Sequence, residues 1–233
     1  MKKIIVKTGT KSHPVFIYNS ELNKLPEKLD EQKLFKNLLV VIDKNVAQYY
    51  QTKIKSVFSN HLGKIRYYIL PSGEKTKSEK ELKKIYDFLL KKYFGRDTVL
   101  IAIGGGVTGD LAGYAASTFM RGIQLVHVPT TFLSMIDSSI GGKTGINFSK
   151  KKNIIGAFYQ PRLVFIDVMF LSTLPSREFN SALGELIKYG LISNKDFYNF
   201  LSDNLEKVKP MNDGVIKSVV EESILIKAGV IQQ

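Results

Sequence analysis

The amino-acid sequence predicts an α/β fold, a mainly parallel sheet covered by helices, that gives way to an all-helical segment. Three observations predict it. Short β-branched runs alternate with helical patterns through the first 170 or so residues. Several of those runs are apolar on both faces, as a parallel sheet covered by helices requires. After Thr173-Leu174-Pro175 the strand patterns stop. The predicted organisation is an α/β domain over 1–172 and a helical domain over 173–233.

The strand candidates are 15–18 (VFIY), 38–43 (LLVVID), 66–70 (RYYIL), 98–103 (TVLIAI), 125–129 (LVHVP) and 163–168 (LVFIDV). The clearest helix is 77–94, where Leu82, Ile85, Tyr86 and Leu89 recur at i, i+3, i+4 and i+7 before Gly95-Arg96-Asp97 ends it. From Ser176 onward the helical patterns are 177–192, 195–208 and 213–233, with apolar stripes that include Leu186, Tyr189, Phe197, Phe200, Leu201, Val219 and Ile224. About 60 such residues are marginal as an independent core. The final helix also runs out without a glycine or capping signal, so the chain reads as cut short.

Composition narrows the function classes. With 44% hydrophobic and 24% charged residues, the 233-residue chain is ordinary globular material. No apolar run approaches the ~18 residues of a membrane span, and the N-terminus lacks the apolar core of a signal peptide. Zero cysteines excludes disulfides and thiolate metal sites and fits a reducing, cytoplasmic location. The net charge of +13 raises nucleic acid as a partner, but only five of the 34 basic residues are arginine. The lysines are dispersed, and Lys53, Lys55, Lys83, Lys84, Lys91 and Lys92 fall on the solvent faces of amphipathic helices. No nucleic-acid or membrane partner is expected.

Two stretches carry chemistry. Gly104-x-Gly106-x-x-Gly109 follows an apolar strand and enters a helix, placing bare backbone N–H groups at a helix N-terminus, where a pyrophosphate is favoured. No carboxylate lies between Asp110 and Asp137, so the usual downstream ribose ligand is missing. Asp43, at a strand's end, can hold the ribose or cap the helix that follows. The second stretch, 127–147, gathers Thr130, Thr131, Ser134, Ser138, Ser139 and Thr144 with Asp137 and Lys143 around a glycine pair. That suits a grip on a polyhydroxylated, phosphorylated ligand. A tight structural turn and a polar surface loop are the plain alternatives for the two stretches.

In order and spacing, "PSGEKTKS", "IGGGVTGDLAGYAASTFMRG", "VPTTFLSMIDSSIGGKTGIN", "KKNIIGAFYQP" and "LSTLPSREFNSALGELIKYGLI" resemble the 3-dehydroquinate synthase family of sugar-phosphate cyclases. The resemblance covers nearly the whole chain. It implies a Rossmann-like NAD-binding domain followed by the start of a helical domain, and an enzyme of the shikimate pathway. The implied reaction converts 3-deoxy-arabino-heptulosonate 7-phosphate into 3-dehydroquinate and phosphate. NAD⁺ is reduced and re-oxidised within each turnover, with a Zn²⁺ or Co²⁺ ion polarising the hydroxyl that is oxidised.

By position, the resemblance assigns the cofactor to Asp43, to Ser72, Gly73, Glu74, Lys75, Thr76 and Lys77, and to Gly105, Gly106, Val107, Thr108, Gly109 and Asp110. Thr130, Thr131, Lys143, Lys152, Phe170, Leu171, Ser172 and Thr173 complete that set. Asp137 and Lys143 fall beside nicotinamide and substrate, Asn153 and Lys188 on the substrate, and Lys227 near its carboxylate. Arg121 matches a phosphate contact that reaches from the partner subunit of a homodimer. Glu185 matches the first metal ligand and lies one helical turn from Lys188; without the resemblance, the two read as a surface ion pair. The family's other two zinc ligands are histidines downstream of the stretch present, and His13, His61 and His127 match neither. Because one carboxylate is fewer than a catalytic zinc requires, the chain alone is expected to be inactive. The alternatives are an NAD-dependent polyol dehydrogenase of the same fold and an isolated nucleotide-binding module.

Overall fold

The computed structural model describes residues 1–9, 11–34, 36–193, 195–208 and 212–232. Among them, nine strands and seven α-helices alternate as an α/β chain and end in helices. The strands are β1 (Lys2–Thr8), β2 (Lys11–Tyr18), β3 (Asn37–Asp43), β4 (Ile65–Leu70), β5 (Thr98–Gly104), β6 (Gln124–Pro129), β7 (Lys143–Phe148), β8 (Lys151–Phe158) and β9 (Leu163–Asp167). The helices are α1 (Leu25–Glu31), α2 (Lys44–Val57), α3 (Glu79–Lys91), α4 (Gly106–Thr118), α5 (Ser176–Ser193), α6 (Lys195–Asn204) and α7 (Asp213–Gln232).

Seven strands form one sheet in the order β1-β2-β9-β6-β5-β3-β4, parallel except for the β1–β2 pair. β5 is buried along its whole length, the condition that its two-sided apolar sequence requires. On one face, Leu39, Val41, Leu100, Ala102 and Leu125 pack against Leu82, Ile85 and Leu89 of α3 and Leu111, Ala112 and Ala115 of α4. On the other, Leu38, Val40, Ile42, Ile101 and Val126 meet Leu25 and Leu29 of α1 and Ile54 of α2. Ala182, Leu186, Phe197, Val219 and Ile224 of the C-terminal helices belong to that second cluster. The three helices thus share a core with the sheet. α7 lies along β1, where Lys2 and Glu221 pair at 3.2 Å.

The six strands read from the sequence are present, and three others escape that reading. β1 is a half-exposed edge strand. β7 and β8 form a separate hairpin laid on α4, closed by Ser149 and Lys150 at φ 45° and 64°. A two-residue turn with both residues left-handed ordinarily carries Asn or Gly, so Ser-Lys gives no turn signal. β4, read among the apolar strands, is the other edge, and only Leu70 in it is fully buried. The hydroxyl-rich stretch also differs from a loop. Ser134–Ser138 is a π-helical turn, and Lys143 begins β7.

One buried carboxylate fixes the end of β9. Asp167 is fully buried; its Oδ1 accepts from the Ser20 and Met169 amides at 2.7 and 3.1 Å, and its Oδ2 from the Glu21 amide at 2.9 Å. Burial pushes its carboxyl above the ordinary range despite these bonds. It therefore ties the turn after β2 to the helical turn at Val168–Thr173. Asp167→Ala strands three amide donors, and the expected loss is about 3 kcal/mol in urea denaturation. Asp167→Asn, which keeps one acceptor oxygen, loses less.

Candidate functional site

Six parallel strands, β4, β3, β5, β6, β9 and β2, end at one edge of the sheet. β3 connects outward to β4, and the chain then returns to place β5 on the other side of β3. Strand order therefore reverses between β3 and β5, the crevice where open α/β sheets bind ligands. Asp43 ends β3, Ser72 follows β4, Gly105 follows β5, Thr130 follows β6 and Phe170 follows β9.

At the β5–α4 turn, a Cβ on Gly104 would lie 2.6 Å from Thr108 Cβ, and one on Gly105 2.8 Å from Thr131 Cγ2. These two glycines are required by the chain's own packing, a reason additional to the ligand approach read from the sequence. Among the described residues, a Cβ on Gly106 would meet only Ser138, with Oγ at 3.1 Å. The first amides of α4 have no partner within the helix. Beside them Thr108 Oγ1 is buried without a hydrogen bond among the described residues.

Around this turn the Ser72–Lys77 loop is held on both sides. Asp43 caps α2, its Oδ1 accepting from the Asn45 amide at 2.8 Å and from Ser72 Oγ at 2.7 Å. Gly73 takes φ 96°, a left-handed conformation that favours glycine. Glu74, Lys75 and Thr76 form a helical turn, and the buried Lys77 donates to both Asp110 and Asn153. Burial raises the Asp110 carboxyl above its ordinary value, outweighing the lysine beside it. Thr130 donates its amide to Gly104 O, and Thr131 exchanges hydrogen bonds with Ser134. Ser172 and Thr173 meet the Tyr50 hydroxyl, while the Phe170 ring packs edge-on to Tyr50.

A second cluster joins the helices to the turn at Ser134–Ser138. Asp137 Oδ1 accepts from Tyr189 Oη of α5 and from Lys227 Nζ of α7, both at 2.6 Å. Burial raises the Asp137 carboxyl, but the hydrogen bonds from Lys227 and Tyr189 outweigh it and the net shift is downward. The Tyr189 hydroxyl is driven far above its ordinary value by burial and by the carboxylate. Glu185 and Lys188, on the same helix, form an ion pair. Lys143 and Lys152 are exposed at the two ends of the hairpin, with no bonded partner among the described residues. Among the described residues, no three His, Cys, Asp or Glu side chains gather as a metal site. His13 and His127 are buried, and burial lowers both to about 4, which keeps them neutral.

Arg121 stands apart. It follows the C-terminal end of α4, about 20 Å along the helix from the glycine turn at 1.5 Å per residue. Met120, Arg121 and Gly122 have φ of 51°, 65° and 118°, a left-handed run that turns the chain toward β6. Sequence reasoning missed Tyr189 as a functional neighbour, although its i+4 spacing from Glu185 was available. It also missed Asn147, which bonds both Glu74 and Asn153.

The fold and this turn define a Rossmann-like α/β chain continued by helices, and comparisons agree. Sequence profiles for the 3-dehydroquinate synthase N-terminal and C-terminal regions match residues 67–181 and 182–233. A curated 3-dehydroquinate synthase from Geotalea uraniireducens is 42% identical over 233 residues, covering all of this chain and 65% of the relative. The chain belongs to the 3-dehydroquinate synthase family. It spans about 65% of the length of that relative. A solved 2-deoxy-scyllo-inosose synthase, complexed with carbaglucose-6-phosphate, NAD⁺ and Co²⁺, superposes with a TM-score of 0.90 at 26% identity, over 99% of this chain and 62% of that one. A solved probable glycerol dehydrogenase from Sinorhizobium meliloti, at 17% identity and a TM-score of 0.69 over 92% of this chain and 64% of that one, shares the fold alone. No helix among the described residues is long and apolar enough to cross a membrane.

The Asp137 cluster generates a pH prediction. Its native pKa is depressed, so its contribution to stability is fully present above the ordinary carboxylate value of about 4 and lost as pH falls through the native value. Tyr189→Phe removes one donor and raises that native value. Urea midpoints measured against pH are expected to show the variant retaining less of this acid-sensitive stability than the parent chain.

Proposed function

We propose that this sequence carries the cofactor half and part of the substrate half of a 3-dehydroquinate synthase. The supporting observation is the side-chain-free β5–α4 turn at the sheet's reversal point, together with the family membership. Residues 1–172 are proposed to bind NAD⁺ and 173–233 to supply the substrate side. The reaction is the conversion of 3-deoxy-arabino-heptulosonate 7-phosphate to 3-dehydroquinate and phosphate. When bound, NAD⁺ takes up a hydride and later returns it.

The chain's own groups fit that cofactor. The first α4 amides and the orphaned Thr108 hydroxyl offer donors to a pyrophosphate. Asp43 Oδ2, unused by the cap, is open to a ribose hydroxyl. Lys143 and Lys188 supply cationic donors for an anionic substrate, with Asn153 as a neutral contact, and Lys152 supplies one for the cofactor. Asp137 stays ionised through Lys227 and Tyr189, held to accept a proton or a hydroxyl hydrogen bond beside the ring. Thr130, Thr131 and the Phe170–Thr173 turn are assigned to the cofactor's flank. A metal is a different matter. Glu185 offers one carboxylate, already paired with Lys188, whereas a catalytic zinc takes three protein ligands. The described residues do not hold Zn²⁺ or Co²⁺ by themselves.

Gly106→Val is expected to abolish NAD⁺ binding in calorimetry with the fold intact, because the added side chain fills the gap against Ser138. Unchanged affinity in a folded variant would remove the site assignment. For the activity, residues 1–233 joined to the remaining third of the Geotalea relative should release phosphate from the heptulosonate phosphate without net NADH. Glu185→Ala should stop that release, and accumulating NADH would favour a dehydrogenase instead.

Arg121, at the far end of α4 from the glycine turn, lies too distant to serve its own chain's site. We place it at the site of a second copy across an α/β-domain dimer. Light scattering at micromolar concentration is expected to give twice the mass of one chain, and a monomer would overturn this placement.

A further inference from the structure

Asn147 sits in β7 between the Ser72–Lys77 loop and β8, and it bonds to both. Its Nδ2 donates to Glu74 Oε1 at 2.7 Å, on the Ser72–Lys77 loop. Its Oδ1 accepts the Asn153 amide at 2.9 Å, and its own amide donates to Lys77 O at 2.8 Å. A carboxylate must accept and an amide N–H must donate, so these two partners fix which side-chain atom is nitrogen. Asn153 is held at φ 56°, a left-handed conformation inside a strand. In that conformation its Oδ1 meets Lys77 Nζ, which also reaches Asp110 of α4.

We propose that Asn147 is a positioning residue that clasps the Glu74–Lys77 cofactor loop to the hairpin carrying Asn153, so that the cofactor and substrate contacts are set by one side chain. The inference rests on the NAD⁺ reading of that loop. With Oε1 engaged by Asn147, Glu74 keeps Oε2 for a ligand hydroxyl. Lys77, its carbonyl held by the Asn147 amide and its ammonium by Asp110 and Asn153, is fixed at both ends. Without the Asn147 side chain, Glu74 and the Asn153 amide lose their partners together.

The test is NAD⁺ affinity by calorimetry on the 233-residue chain and four variants: Asn147→Ala, Asn147→Asp, Glu74→Gln and the double variant Asn147→Asp/Glu74→Gln. Asn147→Asp is nearly isosteric, keeps the acceptor for Asn153 and sets two carboxylates against each other. It should weaken NAD⁺ about tenfold or more, and Asn147→Ala about tenfold, the size of one hydrogen bond to a charged group. The double variant exchanges donor and acceptor across the same contact, so it should bind no more weakly than Glu74→Gln alone. Thermal midpoints accompany each titration. Unchanged affinity in Asn147→Asp, or losses that multiply in the double variant, overturn the clasp while leaving the cofactor reading intact. Affinity that falls only in step with the thermal midpoint, without rescue, marks a purely structural residue and also overturns it. Failure of the parent chain itself to bind NAD⁺ overturns the cofactor reading, and the clasp's role with it.

Discussion

The close approach of α4 to the ends of β5 and β6 is the constraint on which the rest of the site depends. Gly104, Gly105 and Gly113 leave no room for a methyl group, with Thr108, Thr131 and Thr144 each within 2.8 Å of where one would stand. Because Gly105 carries no side chain, α4 starts directly above β5 with its first amides turned toward the crevice. Because Gly113 carries none, β7 can lie against the helix, and the hairpin follows. Asp110 then falls beside Lys77, and the loop after β4 is drawn in. A larger residue at Gly104 or Gly105 would overlap Thr108 or Thr131 and displace the start of α4 from the strand ends, and one at Gly113 would push the hairpin off the helix.

Two electrostatic clasps hold the remaining parts. Lys77, Asp110 and Asn153 join the cofactor-side loop, α4 and the hairpin, and Asp137 joins α5 and α7 to the turn beyond β6. They work oppositely on their carboxylates. At Asp110, burial outweighs one lysine and the proton is held more tightly. At Asp137, a lysine and a tyrosine together outweigh burial and the charge is retained. Two carboxylates near one crevice are thereby separated in acidity by surroundings alone.

The fold was legible in the sequence wherever the pattern was strong. The apolar runs at β3, β5, β6 and β9 could not suit a surface, and the spacing in α3 admitted only a helix. The hairpin was not legible because Ser149 and Lys150 adopt left-handed φ without the residues that advertise it. Of the site, the motifs located its segments, since glycines and clustered hydroxyls stand out one residue at a time. The links between segments were hidden: Tyr189 reaches Asp137 across 52 positions, and Lys77 reaches Asn153 across 76. Local spacing carries no trace of such pairs. Asp43 could be a cap or a ribose ligand from sequence; the cap is what the structure contains.

The meeting of α7 with β1 bears on how the molecule comes into being. β1 and β2 are adjacent in the chain and pair with each other, so they are made together and ahead of the elements that cover them. The helix that covers them lies some two hundred residues later, and β2 cannot find its parallel neighbour β9 until residue 163 has been made. Contacts of such long sequence separation close late because the intervening chain must be ordered first. Until those elements are in place, this hairpin presents Ile4, Val6 and Val15, all buried in the finished molecule, to its surroundings. Lys2, Lys3 and Lys7 place positive charge along this edge strand, the means by which edges are ordinarily kept from pairing with a second chain.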